Sequence, residues 1–265
     1  MALVAVYLLN LQIKILMKKI YLPVLLILWF IFQGCQHKTS DDGFTSVFDG
    51  KTLNGWRGDT NFWRAEDDIL IGETTPENSL THNTFLILDG QQPDNFELKL
   101  EYRISADGNS GINYRSEEVP DIPFALKGYQ FDIDGRNVYT GQNYEERGRA
   151  IIAHQGQTVV LNPLPDSLRN LSVSDLVENN VWTQSEIVET SNATELKSHI
   201  KSNSWNACHL VVEGNTMKHF VNGVLMSEVI DNDPFYRKNK GFIGLQLHMG
   251  PPMKVEFRNI QLKSK

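Results

Sequence analysis

The residues best equipped for chemistry lie in Lys127-Gly128-Tyr129-Gln130-Phe131-Asp132-Ile133-Asp134-Gly135, which reads as a strand running into a turn. Side chains alternate along a strand, so Gln130, Asp132 and Asp134 share one face at intervals of about 6.6 Å, while Tyr129, Phe131 and Ile133 share the other. An amide and two carboxylates in a row suit hydrogen bonding and proton transfer; the opposite face is core. Asp134, just ahead of Gly135, reads as a turn former. Two more polar strands belong with this one: Gly108-Asn109-Ser110-Gly111-Ile112-Asn113-Tyr114-Arg115 upstream, and Ile243-Gly244-Leu245-Gln246-Leu247-His248 near the end.

The rest of the chain must hold these strands side by side. From Phe96 to Ile104, apolar Phe96, Leu98, Leu100, Tyr102 and Ile104 alternate with Glu97, Lys99, Glu101 and Arg103, the pattern of a strand with one buried and one solvated face. Asn222-Gly223 predicts a two-residue type I′ turn, and a hairpin is also expected at Asp67-Asp68. Short strands with glycine and asparagine turns recur along the chain and argue for an all-β, two-sheet sandwich of jelly-roll type. Between Asp166 and Lys201 the period changes. Ser174–Val177 and Thr194–Ile200 read as short helical pieces behind capping residues, a helical insertion with too little apolar surface to be a domain. The polar stretch Tyr139–Arg149 reads as a long loop of the kind that binds or covers a ligand.

The N-terminus has a different character. Met17-Lys18-Lys19 is a short cationic region, Ile20–Phe32 is apolar, and Gln33-Gly34-Cys35 closes the run, which is the three-part form of a bacterial secretion signal. The run is short for a membrane span. A cysteine after a small residue at this position resembles a lipobox, with Cys35 as the acylated mature N-terminus. The expected organisation is therefore a signal segment over 1–34, with Met17 as a possible true start, a tether over 35–43 and one β-sandwich over 44–265. That places the protein in the bacterial cell envelope, on the periplasmic side or at the outer membrane, attached by a lipid anchor. The formal net charge is −7, and the signal segment holds Lys14, Lys18 and Lys19 but no acid, so the remainder is more acidic still. Such a surface has no electrostatic footprint for nucleic acid. With Cys35 lipidated, Cys208 is left alone in an apolar strand and reads as a small buried thiol.

Phe48-Asp49-Gly50-Lys51-Thr52-Leu53-Asn54-Gly55-Trp56, Gly108–Ile112, Gly128–Ile133, Trp205-Asn206, Val221-Asn222-Gly223, Ile243–Gln246 and Phe257-Arg258-Asn259-Ile260 occur in an order that resembles the 3-keto-disaccharide hydrolase family. The resemblance covers nearly all of Phe44 to Leu262. It implies a concanavalin-A-like lectin/glucanase sandwich whose concave sheet holds a carbohydrate. In one departure, Leu247 stands where many relatives carry an acid before the histidine, so any role of that acid is absent here.

The resemblance also implies a substrate oxidised at C3 of a sugar ring. A ketone there acidifies the C2 hydrogen, so a base can remove it, the enolate can expel the aglycone from C1, and water can add to the alkene. That chemistry needs a base, a stabiliser for the enolate oxygen and an acid for the leaving group. His248 and Asp132 are the candidate bases, Arg115 with Arg147 or Arg149 the candidate oxyanion partners, and Glu146 with Glu145 the candidate acids. Gln130, Gln246, Asn113, Tyr144 and Arg149 are candidate substrate contacts, and Trp56, in a glycine-flanked loop, is the tryptophan placed to stack on a sugar. Trp63, Trp182 and Trp205 read as core. A divalent metal held by carboxylate and imidazole is a possible alternative stabiliser, although no pair of histidines at helical spacing marks a site. Two other readings stand beside this one. One is a surface carbohydrate-binding lipoprotein without catalysis. The other is a conventional glucanase, against which Gln130 counts, since it occupies the place of the first of the paired carboxylates that retaining chemistry requires.

Overall fold

The structure, a computed structural model, describes residues 42–178 and 186–265. The signal segment, Cys35, most of the tether and Trp182 lie outside the described residues. The longer of two sheets is built from β1 (Thr45–Ser46), β3 (Trp63–Glu66), β4 (Ile69–Glu73), β6 (Phe96–Ile104), β11 (Gln157–Leu161), β12 (Glu186–Thr190), β13 (Asn206–Glu213), β14 (Thr216–Val221), β15 (Val224–Asp231) and β17 (Lys254–Ser264). The shorter contains β2 (Trp56–Arg57), β5 (Thr84–Leu88), β7 (Asn109–Glu118), β8 (Leu126–Asp134), β9 (Asn143–Glu146), β10 (Ala150–Ala153) and β16 (Phe242–Leu247). Spatial order is β12-β11-β15-β14-β13-β6-β17-β4-β3 in the first, with β1 on β17, and β10-β9-β8-β7-β16-β5-β2 in the second. The crossing between distant strands marks the jelly-roll sandwich that the sequence predicts.

Local chemistry explains the elements. Along β6 burial alternates residue by residue, so its charged side chains lie on the solvated face. Asn222 and Gly223 both take positive φ, 49° and 82°, as the type I′ turn between β14 and β15 demands, and Asp67 and Asp68 do the same between β3 and β4. The helical insertion forms as Asp166–Leu168, a 3-10 turn, followed by α1 (Val173–Glu178) and α2 (Ala193–Ser198). Asn192 caps α2, its side-chain oxygen accepting from the backbone N–H groups of Thr194 and Glu195. Strand β12 lies between these helices on the edge of the long sheet, a strand that the change of period concealed.

The inner faces pack Ile112, Tyr114, Tyr129, Phe131 and Ile133 of the short sheet against Phe96, Leu98, Leu100, Tyr102, Leu210, Val212 and Phe257 of the long one. Trp63 stacks on Phe257 in this core. Cys208 is a buried free thiol, and burial pushes its pKa well up. Trp205 lies half-buried with the guanidinium groups of Arg103 and Arg258 over its ring, at 4.9 and 4.0 Å, outside the apolar core expected for it.

The interior is not wholly apolar. Tyr129 donates to Asp231 Oδ2 at 2.5 Å, and Arg149 donates to the same oxygen at 2.7 Å and to Glu145. Nearby, His219 stacks on Phe131 at 4.4 Å, its Nε2 lies 2.9 Å from Tyr114 Oη, and its Nδ1–H donates to Gln142 O at 3.2 Å. These groups join β7, β8 and β9 of one sheet to β14 and β15 of the other.

Burial holds the His219 imidazole neutral and pushes its pKa from 6.5 down to about 3. The unfolded chain takes up a proton near its ordinary pKa and the folded chain does not. Stability is therefore present in full above that value and is lost as pH falls toward the folded one. In urea titrations, His219→Gln is expected to flatten the loss of stability between about pH 7 and about pH 4. It should also cost about 1–3 kcal/mol at neutral pH through its disturbed hydrogen bonds. An unchanged pH slope in the variant would rule this account out.

Candidate active site

The outer face of the short sheet carries the polar residues that strand alternation predicts. Asn109, Gly111 and Asn113 on β7 lie opposite Asp134, Asp132 and Gln130 on β8, and Gln130 in turn lies opposite Tyr144 on β9. On the other side of β7, Gly244 of β16 pairs with Asn113, which puts Gln246 on the same face. The centre of this face is glycine because a side chain has no room there: a Cβ on Gly111 would lie 2.6 Å from Cγ and Cδ of Gln130.

A cleft of about 540 Å³ opens over this face. Its floor is formed by Gln130, Asp132, Gln142 and Glu146, all buried, and its sides include Asn83, Asn109, Tyr144 and His248. Asp132 accepts from Gln130 Nε2 at 2.6 Å on one oxygen and from Gln142 Nε2 at 2.5 Å on the other. Glu146 accepts from Asn83 Nδ2 at 3.1 Å and from Gln246 Nε2 at 3.4 Å. Gln130 Nε2 also lies 3.5 Å from Gln246 Oε1, so a line of amides runs from one carboxylate to the other. Asn83 extends it by accepting the backbone N–H of Met249 at 3.0 Å.

Desolvation dominates the electrostatics. Burial raises the Asp132 carboxyl from 3.8 to about 7, the amide bonds from Gln130 and Gln142 pull it partly back, and the charges of Glu146 and Asp134 push it up again. A group with that pKa can both take and release a proton near neutrality. His248 Nδ1 is 2.5 Å from Met249 O, which requires a proton on Nδ1 and leaves Nε2 of the neutral ring as an acceptor. Arg147 lies on the rim with positive φ, 56°, in the β9–β10 turn, and among the described residues is the one lysine or arginine on the cleft lining.

Six of the residues singled out from sequence therefore meet at the cleft: Asp132, Glu146, His248, Gln130, Tyr144 and Arg147. Gln246 is fully buried and sits behind them, bonded to Glu146 instead of facing a ligand. Five others, Arg115, Arg149, Glu145, Asn113 and Trp56, are placed elsewhere. Arg115 has positive φ, 46°, at an irregularity in the β7–β8 register that turns it off the cleft face, and its guanidinium donates to the carbonyls of Asp94 and Lys238. Arg149 is sealed in the sandwich against Glu145 and Asp231. Asn113 is buried and donates to Ser116 Oγ. Trp56 is core, with its indole N–H on Val47 O at 2.9 Å, so it is no stacking platform. Asp134 closes a turn by accepting from Val138, Tyr139 and Thr140 backbone N–H groups.

The stretch expected to be one long loop from Tyr139 to Arg149 contains β9, which supplies Tyr144 and Glu146. Its residues Asn-Tyr-Glu-Glu offer no apolar alternation, which is why the strand was not foreseen. His82, Asn83, Asn109, Tyr139, Gln142, Ile151 and Met249 were likewise missed as lining residues; only Asn109, Tyr139 and Gln142, on stretches already marked as polar, gave any signal. Among the described residues no group of three or more His, Cys, Asp or Glu side chains is disposed to hold a metal ion. The oxygens of Asp132 and Glu146 are taken by amide donors, so the donor set does not fit the divalent ion considered above.

Known proteins resemble this chain in sequence and in fold. A Bacteroides thetaiotaomicron protein named 3-keto-disaccharide hydrolase is 39% identical over 85 residues, a match spanning 29% of each chain. Two Parabacteroides distasonis proteins described as candidate glycosyl hydrolases have similar structures. One has a TM-score of 0.53 at 17% identity over 84% of this chain and 99% of its own, and the other 0.53 at 18% over 88% and 98%. At such identities the likeness is one of fold. Residues 43–263 match the family described as the 3-keto-alpha-glucoside-1,2-lyase-like domain, and the chain belongs to that family.

Proposed function

We propose that the protein cleaves the glycosidic bond of 3-keto-glycosides by elimination and hydration in the cleft on the short sheet. The observation that carries this reading is Asp132, a desolvated carboxyl with a pKa of about 7 on the floor of a polar cleft. Asp132 removes the C2 proton. The C1–C2 double bond forms as the C1–oxygen bond to the aglycone breaks, and the departing oxygen takes a proton from a water molecule held by Glu146 and His248. The hydroxide so formed adds at C1, and Asp132 returns to C2 the proton it removed. Arg147 takes the part first given to Arg115, as the permanent positive charge near the developing enolate. Family membership and the named relative support the substrate class. We also propose, from the sequence alone, that Cys35 carries a lipid that holds the domain at the cell envelope.

Incubation with a 3-keto-glucoside bearing a chromogenic aglycone, and with its unoxidised parent, tests the chemistry. Release from the keto form alone is expected, with a primary isotope effect on deuteration at C2. Release from the parent would point to an ordinary glycosidase, and binding without release to a carbohydrate-binding protein. Asp132→Asn is expected to lower kcat/KM by about 10²-fold or more. Because the raised pKa means that the ionised carboxylate destabilises the fold above its pKa, the variant should be no less stable than the parent in alkaline buffer.

The base must be ionised to act, so kcat/KM is expected to rise with pH through about 7. Gly111→Ala displaces Gln130 and weakens a hydrogen bond that lowers the Asp132 pKa, so this limb should move to higher pH. A limb that stays in place, or moves to lower pH, would contradict the role given to Gln130. Labelled palmitate should enter the wild-type chain and Cys208→Ala but not Cys35→Ala; equal labelling of all three would remove the anchor.

A further inference from the structure

The mouth of the cleft differs in chemistry from its floor. Tyr139 and Met249 line it and are each 45% exposed, although large apolar side chains normally turn inward. They come from two separate loops, and both loops are fastened. Asp134 takes three backbone N–H groups around Tyr139, and Asn83 takes that of Met249. Tyr144 and Ile151, both half-buried, continue the apolar surface inward. Of the polar groups at this level, Arg147 and His248 are assigned above to the reacting sugar and its departing oxygen. The ring nitrogens of His82 are engaged with Thr81 and Pro123, and the amide nitrogens of Gln130 and Gln142 on the floor with Asp132. An exposed apolar rim held in place around a polar floor marks a ligand that is polar at one end and apolar at the other.

We propose that the rim is the aglycone subsite and that it accepts an aromatic aglycone in preference to a second sugar. The inference rests on the keto-glycoside reading, which assigns the sugar to the floor. An aromatic ring would lie against Tyr139 and Met249, where a second sugar would lose the hydration of its hydroxyls for few partners in return. Tyr139 thereby becomes a specificity-determining residue.

The test uses the full chain and the 3-keto-glucosides of ethanol, 2-phenylethanol and glucose. The two alcohols are leaving groups of similar acidity, so they differ at the rim and not at the breaking bond. The phenylethyl glycoside is expected to exceed the ethyl glycoside in kcat/KM by about tenfold or more, chiefly through KM, and to exceed the disaccharide as well. In Tyr139→Ala, and separately in Met249→Ser, the phenylethyl-to-ethyl ratio should collapse toward one. Equal rates for the two alcohols, or preference for the disaccharide, would overturn the aromatic subsite while leaving the keto-glycoside reading intact. Cleavage of none of the three would overturn that reading, and this inference with it.

Discussion

A carboxylate placed in the middle of a sheet, out of reach of bulk water, survives only where hydrogen-bond donors stand in for the lost hydration. Asp132 is held in this way by Gln130 and Gln142, and much of the short sheet is arranged to make that possible. Gly111 clears the space into which Gln130 folds, Gln246 and Asn83 carry the amide line to Glu146, and the turn closed by Asp134 leads into Gln142. Two amide donors do not fully replace water, and the residual deficit appears as the raised pKa of Asp132. The same incompleteness that makes the group costly to ionise makes it reactive toward protons.

The fold was largely legible in the sequence because a sandwich writes its inner faces as period-two patterns and its hairpins as Asn-Gly or Asp-Asp pairs. The site was half legible for the same reason. Gln130, Asp132, Gln246 and His248 follow from alternation along strands that were recognised. Arg115 was misplaced because alternation fails where a strand is irregular: one residue of positive φ reverses the face on which its side chain emerges. Strand β9 was missed because its partners are polar, so that Glu145 and Asn143 are buried without an apolar pattern to announce it. Contacts such as Asn83 with Glu146, 63 residues apart, are set by the pairing of distant strands and leave no local mark.

Arg149 illustrates how a wrong assignment can still point to a useful residue. It touches no ligand space, but it locks the β9–β10 hairpin to Asp231 on the opposite sheet, and the residues on either side of that lock are the ones that reach the cleft. Glu146 and Arg147 emerge one after the other from a turn whose neighbours Glu145 and Arg149 are buried. Breaking a buried ion pair leaves an uncompensated charge, which is far more disruptive than losing a surface pair. The hairpin is therefore held more firmly than its length suggests, and precise placement of the rim cation comes from charge hidden in the core.

Strand β17 has a consequence for how the domain is made. It lies between β6 and β4, pairing Val255 with both Ile104 and Gly72, and it also carries β1 through Leu262 and Thr45. The long sheet cannot close until β17 is available, so β1 and β4 wait through the synthesis of all the strands between with a ladder partner missing. Contacts so far apart in sequence slow folding and prolong the exposure of unpaired edges. The domain therefore stays incompletely folded, with sheet edges that must be kept from aggregating, until β17 is in place.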